Sequence, residues 1–555
     1  MKRCLLLAVL AACVSLPVRA QTGGAISGDS SAAYSISGTV ESAIAGTPLD
    51  RAEVTLSTPG FQGTQLDVVV TGETGAFRFD HLQPGKYRLA ASRRGYIAAG
   101  YQEHEGFFTA VVTGPGLDTT GLRLELPPDA VLGGVVTDDA GEPVPGARVR
   151  LYRQVENTGD SRIAGAGSET TDDTGTYEFA RLRPGTYFVG VSAAPWYAFH
   201  PARKLDASGN FLPDDQQPHS PLDVAYPMSF YANATDSASA SPIVLSAGDH
   251  TEIDLPLHAV PAIHIDIRIP SPDSGHGIAT PQLIQNAFGS EEFTPPGLTE
   301  IAHSDGQLVA DMRGIAPGHY VLRQFGVDGD PSRTATLDLS GNQIVDFASA
   351  AASGVDVSGK LAMISGEKFP NRTRILLVPS GGTGSSPGAS VEADGSFAMH
   401  SVAAGSYEVE VSAPGRNLAV TQMDVSGGTF LGDRVTVTGD SPVLLAADLA
   451  SGSTTITGYA QSNGKGLGGA MILLVPRDPN ASRQLFRRDQ SDSDGSFALT
   501  RVIPGNYILV AIDDGWTLDW AHRDAIAPYV ARGIRLQVAG QKTLALPSAV
   551  EIQPR

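Results

Sequence analysis

The amino-acid sequence predicts an all-β protein, a tandem array of about five antiparallel β-sandwiches after a signal peptide. Three observations predict it. One pattern of turns and aromatics returns five times along the 555 residues. Its second-turn glycines, Gly85, Gly185, Gly318, Gly405 and Gly505, lie 100, 133, 87 and 100 residues apart, the spacing of whole sandwich domains. The chain holds 63 Gly and 37 Pro yet is still 41% hydrophobic, so many turns separate segments that can pack. A single core stops growing at roughly 250 to 300 residues, so a chain this long divides.

At the amino terminus Lys2 and Arg3 precede an apolar run from Leu5 to Leu16, Pro17 breaks it, and Val18 and Ala20 place small residues before Gln21. This is the pattern of a secretory signal peptide cut after Ala20. The run is too short to cross about 30 Å of hydrocarbon, so no transmembrane span is expected. Leu10-Ala11-Ala12-Cys13 also fits a lipobox with Cys13 as the lipidated residue, although the run before it is short and Val14 to Leu16 continue the apolar stretch. Cys4 and Cys13 are the only cysteines, so a cut after Ala20 leaves no thiol and no disulfide. Losing Lys2, Arg3 and Arg19 moves the formal charge from −20 to −23, which disfavours nucleic acid and anionic membrane surfaces. The protein is expected outside the cytoplasm: periplasmic, on the outer surface or secreted.

The repeat is clearest in Thr71-Gly-Glu-Thr-Gly75-Ala-Phe77-Arg-Phe79 through Pro84-Gly85-Lys-Tyr87-Arg-Leu89 and its counterpart Thr171 through Tyr177, Phe179, Pro184-Gly185 and Tyr187. It recurs at Asp394-Gly395-Ser-Phe397 to Gly405-Ser-Tyr407 and at Asp494-Gly495-Ser-Phe497 to Pro504-Gly505-Asn-Tyr507; a looser copy runs from Asp305-Gly306 to Pro317-Gly318-His-Tyr320. The first glycine suits a tight turn because it takes positive φ without a Cβ clash. Phe77-Arg78-Phe79 alternates buried and wet faces at the period of a strand. Pro-Gly reads as a type II turn, and the tyrosine resumes the inward stripe on the return strand.

Upstream of most copies a first strand is expected to end in glycine, at Gly38, Gly134, Gly359 and Gly458. In the second copy Val135 continues to Gly141-Glu-Pro143-Val-Pro145-Gly146-Ala-Arg-Val149, a strand, a turn and a strand. That turn, with the downstream Leu182-Arg-Pro184-Gly185-Thr-Tyr187, resembles the carboxypeptidase regulatory-like domain, a seven-stranded prealbumin-like sandwich related to Cna protein B-type domains. The resemblance covers nearly all of the mature chain, strongest in copies 2 and 5 and weakest in copy 3. It implies an exported bacterial protein of a fold grouped with carbohydrate-binding sandwiches. It implies no peptidase activity, because in carboxypeptidases this domain is attached to a separate catalytic one. The expected organisation is signal peptide 1–20, linker 21–33, and sandwiches at 34–128, 129–259, 260–349 (divergent), 350–449 and 450–555.

Function is expected in the insertions, since loops on a rigid sandwich carry binding residues. Copy 2 has an excursion from Pro195 to Ser241 with Trp196, Tyr197, Phe199, His200, Tyr226, Phe230 and Tyr231; copy 5 has Trp516 and Trp520. Aromatic faces beside polar side chains suit sugar rings, which makes Trp196, Tyr197, His200, Tyr226, Tyr231, Trp516 and Trp520 the candidate ligand residues. The competing reading, favoured for both insertions, is that these aromatics cover their own sheets. After Asp519, a short helix capped by that residue would place Ile526, Tyr529 and Val530 on one face and end near Gly533, but Pro528 argues against it.

No catalytic, metal or cofactor residues are expected. Gly384-Ser385-Ser386-Pro387-Gly388 matches a nucleophile elbow only in letters, and His104 lacks a second histidine at zinc spacing. Asp492-Ser493-Asp494-Gly495 resembles the start of a calcium loop without its later glutamate. Lys360 is the one first-strand lysine that an isopeptide bond of the Cna type could use. Two functions remain: a non-enzymatic exported protein binding carbohydrate or another surface through its loops, or a structural protein of the cell envelope that contacts other proteins. The partners expected are therefore a polysaccharide or an envelope protein.

Overall fold

The computed structural model describes residues 34–555 except 61–62, 158–159, 205, 208–211, 213, 270–279, 294–297, 305–306, 325–332, 347–353, 381–385 and 480. The expected signal peptide, both cysteines, the linker 21–33, the Asp305-Gly306 turn and most of the Gly384 loop lie outside the described residues. Elsewhere the chain is a tandem all-β protein. Successive apolar cores run from Ile36 to Leu126, Ala130 to Leu257, Ile263 to Leu339, Val357 to Leu449 and Ile456 to Ile552. They are numbered sandwiches 1 to 5 below.

In sandwich 1 one sheet is built on Tyr34–Ser42, flanked by Ala76–Leu82 and Leu122–Leu126; the facing sheet is built on Glu53–Ser57 and Gly85–Ser92. Pairing is antiparallel except that the first strand lies parallel to the last, as Tyr34–Ser42 does to Leu122–Leu126 and Val355–Met363 to Val443–Ser451, and that in sandwich 5 the last strand, Val550–Gln553, also pairs in parallel with Gly505–Ile512. The repeat's aromatics face inward as the alternation requires: Phe77, Phe79, Tyr177, Phe179, Phe397, Phe497 and all five motif tyrosines are buried. The first-turn glycines adopt φ of 66°, 72°, 87° and 84° at Gly75, Gly175, Gly395 and Gly495. Thr71 and Thr171 tie that turn to the second strand. Each hydroxyl donates to a carbonyl, Leu49 O at 2.6 Å and Val144 O at 2.7 Å, and accepts from Ala52 N or Ala147 N at 2.9 Å.

Two local expectations are corrected. The second-turn glycine does not adopt the positive φ of a type II turn after Pro at Gly85 or Gly505, nor at the equivalent Gly405; it opens the return strand, as in Gly85–Ser92 and Gly405–Ser412. Its role is to leave room for the tyrosine two residues on, whose hydroxyl folds back to donate to the carbonyl four residues upstream. That bond recurs five times, from Tyr87 to Gln83 (2.9 Å), Tyr187 to Arg183 (2.6 Å), Tyr320 to Ala316 (2.7 Å), Tyr407 to Ala403 (2.9 Å) and Tyr507 to Ile503 (2.8 Å). A Cβ on Gly405 or Gly505 would stand 3.2 Å from the tyrosine ring. Tyr407→Phe is expected to cost about 1 kcal/mol by removing that donor, read as about fivefold faster amide exchange across Gly405–Ser412 in the intact chain.

The first strands do not end at their glycines either. They run through them, as Tyr34–Ser42, Ala130–Thr137, Val355–Met363 and Thr454–Ser462. In sandwiches 1, 2 and 4 the last strand passes so close that a Cβ at Gly38, Gly134 or Gly359 would lie 2.0, 2.0 or 1.7 Å from a backbone carbonyl oxygen.

Candidate functional site

Both insertions serve as mortar between sandwiches, an outcome that separates them from the ligand platforms the aromatics suggested. In sandwich 5 the strand Met471–Pro476 is buried at every residue. Its inward side chains fill the core, while Met471, Leu473 and Val475 meet Trp516, Trp520, Ile526 and Tyr529 from the insertion. The helix forms at Arg523–Val530 despite Pro528; its N-cap is His522 rather than Asp519, which pairs with the His522 ring instead. Trp516 Nε1 donates to Gly469 O at 3.0 Å.

Sandwich 1 closes over this layer. The His104 ring stacks on Trp516 with centroids 5.3 Å apart and an interplanar angle of 5°, and Phe107 lies 5.4 Å from the same ring. Arg488 sits 4.2 Å above Trp520 and reaches Glu105 at 2.7 Å. The backbones join as well. Ser493 N donates to Ala110 O at 3.0 Å, Val112 N to Ser493 Oγ at 2.8 Å and Ala110 N to Asp492 Oδ1 at 3.1 Å. Lys86 Nζ donates to Asp492 Oδ2 at 2.5 Å, and the buried Gln490 amide donates to Gln102 O at 2.5 Å and Thr109 Oγ1 at 2.8 Å. Nothing in the sequence around Asp492–Gly495 announces this contact, because a partner 382 positions away leaves no local signal.

The copy 2 insertion joins sandwiches 2 and 3. Tyr152 and Phe188 on the outer face of a sandwich 2 sheet, with Met228 and Phe230 from the insertion, enclose Phe288 and Ala287 of sandwich 3. Phe288 and Gly289 take φ of 51° and 78° in a two-residue hairpin turn, which projects the Phe288 ring to within 4.9 Å of Tyr152, 4.9 Å of Phe188 and 5.6 Å of Phe230. Beside it Glu292 accepts from Tyr152 Oη at 2.9 Å and pairs with Arg150 at 2.7 Å; burial holds its carboxyl above the usual range despite both donors.

An ionic layer continues this seam. Asp223 bridges two imidazoles, His200 Nδ1 at 2.8 Å and His264 Nε2 at 2.7 Å. Arg203 of the insertion pairs with Asp266, and Asp266 faces Asp311 across the strands Ile263–Ile269 and Gln307–Ile315. Asp311 is fully buried with Arg313 Nε 2.9 Å away. Burial, with the Asp266 charge adding to it, pushes the Asp311 carboxyl from 3.8 up to about 6 against the pull of Arg313. The folded chain thus holds a proton that the unfolded chain releases. The resulting stabilisation is complete below about pH 3.8 and is lost as pH rises through about 6. Asp311→Asn stays neutral throughout, so its melting temperature relative to the native chain is expected to rise between pH 4 and 7. A flat difference across that range would contradict the assignment.

Of the seven candidate ligand residues, Trp196 alone stands free, 80% exposed, with Tyr197 edge-on at 5.8 Å and half-buried. His200 is held by Asp223, Tyr226 lies in the core of sandwich 2 and Tyr231 packs against that core. Trp516 and Trp520 are buried at the seam with sandwich 1 and present no open face. Lys360 is exposed, which removes the buried lysine that an isopeptide bond needs. Among the described residues no group of three or more His, Cys, Asp and Glu is placed to hold a metal ion, and no helix is long and apolar enough to cross a membrane.

No curated protein matches the chain. Solved structures align with it at low identity: the Bacillus anthracis TIE protein (10% identity, 77% of this chain, 75% of that one, TM-score 0.17), a streptococcal ancillary pilin (9%, 57%, 98%, 0.20) and the minor pilin GBS52 of Streptococcus agalactiae (13%, 43%, 99%, 0.20). At these TM-scores the superpositions say nothing about what this chain does. Residues 35–119 and 131–202, which lie in the first two sandwiches, match the family model of the carboxypeptidase regulatory-like domain.

Proposed function

We propose that the protein is an exported, non-catalytic scaffold of the cell envelope whose sandwiches form a self-closed platform for contacts with other envelope components. The observation that carries this reading is the seam between sandwiches 1 and 5. Backbone bonds, a buried amide, an ion pair and a stacked aromatic layer hold the two ends of the array together, so the unit favoured is a fixed block rather than an extended string. Both aromatic insertions are used to join sandwiches, which is what a load-carrying or organising part requires.

Small-angle scattering of the mature chain tests the closure, since a closed array has a maximum dimension well short of five sandwiches in line. Affinity capture from envelope extract tests the role, and the scaffold reading expects protein partners that free sugars do not displace. Turnover of any member of a peptide, ester or glycoside panel would overturn it. A second reading, binding of a polysaccharide, is favoured by Trp196 alone, whose exposed ring is what a sugar face stacks on.

A further inference from the structure

The hairpin that joins Thr454–Ser462 to Lys465–Gly466 in sandwich 5 turns on two residues, Asn463 and Gly464. Both take positive φ, 53° and 75°, as a two-residue loop between Ser462 and Lys465 requires, and both are exposed. No other asparagine of the chain precedes glycine. That order matters chemically. The amide carbon of an asparagine side chain lies within reach of the next residue's main-chain nitrogen, and a glycine leaves that nitrogen without a Cβ beside it. The ladder bonds of this hairpin belong to Ser462 and Lys465, and among the described residues the Gly464 N–H donates to no backbone carbonyl. A Cβ on Gly464 would meet nothing within 4 Å, so no neighbour packs on the loop to hold it in one conformation. The Asn463 side chain is held loosely, through Nδ2 to Ser462 Oγ at 3.4 Å, a long bond.

From this we infer that Asn463 is a site of spontaneous deamidation and main-chain rearrangement. The Gly464 nitrogen, having given its proton to hydroxide, bonds to the Asn463 side-chain carbonyl carbon. The bond from that carbon to the side-chain nitrogen breaks, its electron pair goes to the nitrogen, and ammonia leaves with a proton from water, closing a cyclic imide. Water then adds to one of the two imide carbonyls. Addition at the side-chain carbonyl breaks its bond to the Gly464 nitrogen and yields aspartate; addition at the main-chain carbonyl leaves the chain running through the side chain, one methylene longer. Either product disturbs what the loop holds. Asn463 N donates to Glu551 Oε1 at 3.3 Å and Gln461 Nε2 to Glu551 Oε2 at 3.2 Å, which tie the hairpin to the last strand, Val550–Gln553. A carboxylate at position 463 adds a second negative charge beside Glu551. The longer main chain breaks the Ser462–Lys465 register, and Gly466, where a Cβ would stand 2.0 Å from Asp494 O, has no room to absorb the shift. Val550 and Ile552 of that last strand lie in the sandwich 5 core.

The test is storage of the intact mature chain in warm, mildly alkaline buffer, with the peptide that holds residue 463 followed by mass spectrometry and chromatography. Conversion at Asn463 is expected to run about tenfold ahead of Asn417 and Asn506, whose next residues carry side chains, and to give both aspartate and its chain-lengthened isomer. Amide exchange across Val550–Gln553 should quicken about fivefold in the converted fraction. Asn463→Gly keeps a Gly-Gly loop that the same turn accepts and removes the amide, so its peptide should hold its mass and its last strand its exchange rate. Conversion no faster at Asn463 than at Asn417 and Asn506 would overturn the site. Conversion with unchanged exchange across Val550–Gln553 would overturn its effect on the last strand.

Discussion

Trp516→Ala is expected to open the array. The indole touches three things at once: the outer face of the sandwich 5 sheet through the layer around Met471 and Ile512, the carbonyl of Gly469, and the His104 and Phe107 rings of sandwich 1. Truncating a buried tryptophan to alanine costs about 3 to 5 kcal/mol, from lost burial and from the cavity left behind. Part of that loss falls on sandwich 5 itself and part on the seam. Two readouts separate them. Amide exchange should quicken at Val111–Thr113 of sandwich 1, which a purely local defect would not reach, and scattering should show a longer maximum dimension. Lys86→Glu gives a milder control, because it sets a carboxylate against Asp492 at the seam without touching either core. Unchanged scattering in both variants would mean that the ends are not held by this seam.

Gly359→Ala is expected to cost about 3 kcal/mol, the upper end for overpacking, because the obstacle is backbone rather than a side chain that can turn aside. The new Cβ would stand 1.7 Å from Leu445 O, on a strand paired in parallel with Val355–Met363 over seven residues. Relief requires the strands Val355–Met363 and Val443–Ser451 to separate, and they carry Val357, Leu361, Val443, Leu445 and Leu449 of that core. Thermal unfolding of the intact chain should show an early transition, and proteolysis should cut first between residues 355 and 451. The same change at Gly366, where φ is 71° but a Cβ meets nothing, strains one turn residue and should leave the early transition absent.

What the sequence made legible was whatever its own neighbours decide. The Phe77-Arg78-Phe79 alternation and the Asp-Gly turns specify a strand and a reversal within ten residues, and both are present. The glycines at 38, 134 and 359 were visible as a repeated position, but their reason was not, because the carbonyls they make way for come from the far end of each sandwich. The Pro-Gly glycine was misread for a related cause. Its neighbour in space is a tyrosine ring two residues on, bent back toward a carbonyl, and turn statistics do not register that bond. The candidate ligand residues were chosen as aromatics near polar groups, and that composition is shared by a sugar platform and by an interdomain packing layer. Only placement separates them, and it assigned Trp516, Trp520 and Tyr226 to packing. Asp266 carried no signal, because it lies in a divergent copy and the cation it pairs with, Arg203, comes from the insertion of another sandwich.

The seam between the ends also sets an order of events. Ala110 cannot find Ser493 until the fifth sandwich has been made, however early the first folds. Rigid modules in between spare most of the entropy that joining such distant points of a flexible chain would demand. A product cut short before Arg488 would therefore leave His104 and Phe107 without the Trp516 ring and the Arg488 guanidinium that cover them, and completion of the fifth sandwich supplies both.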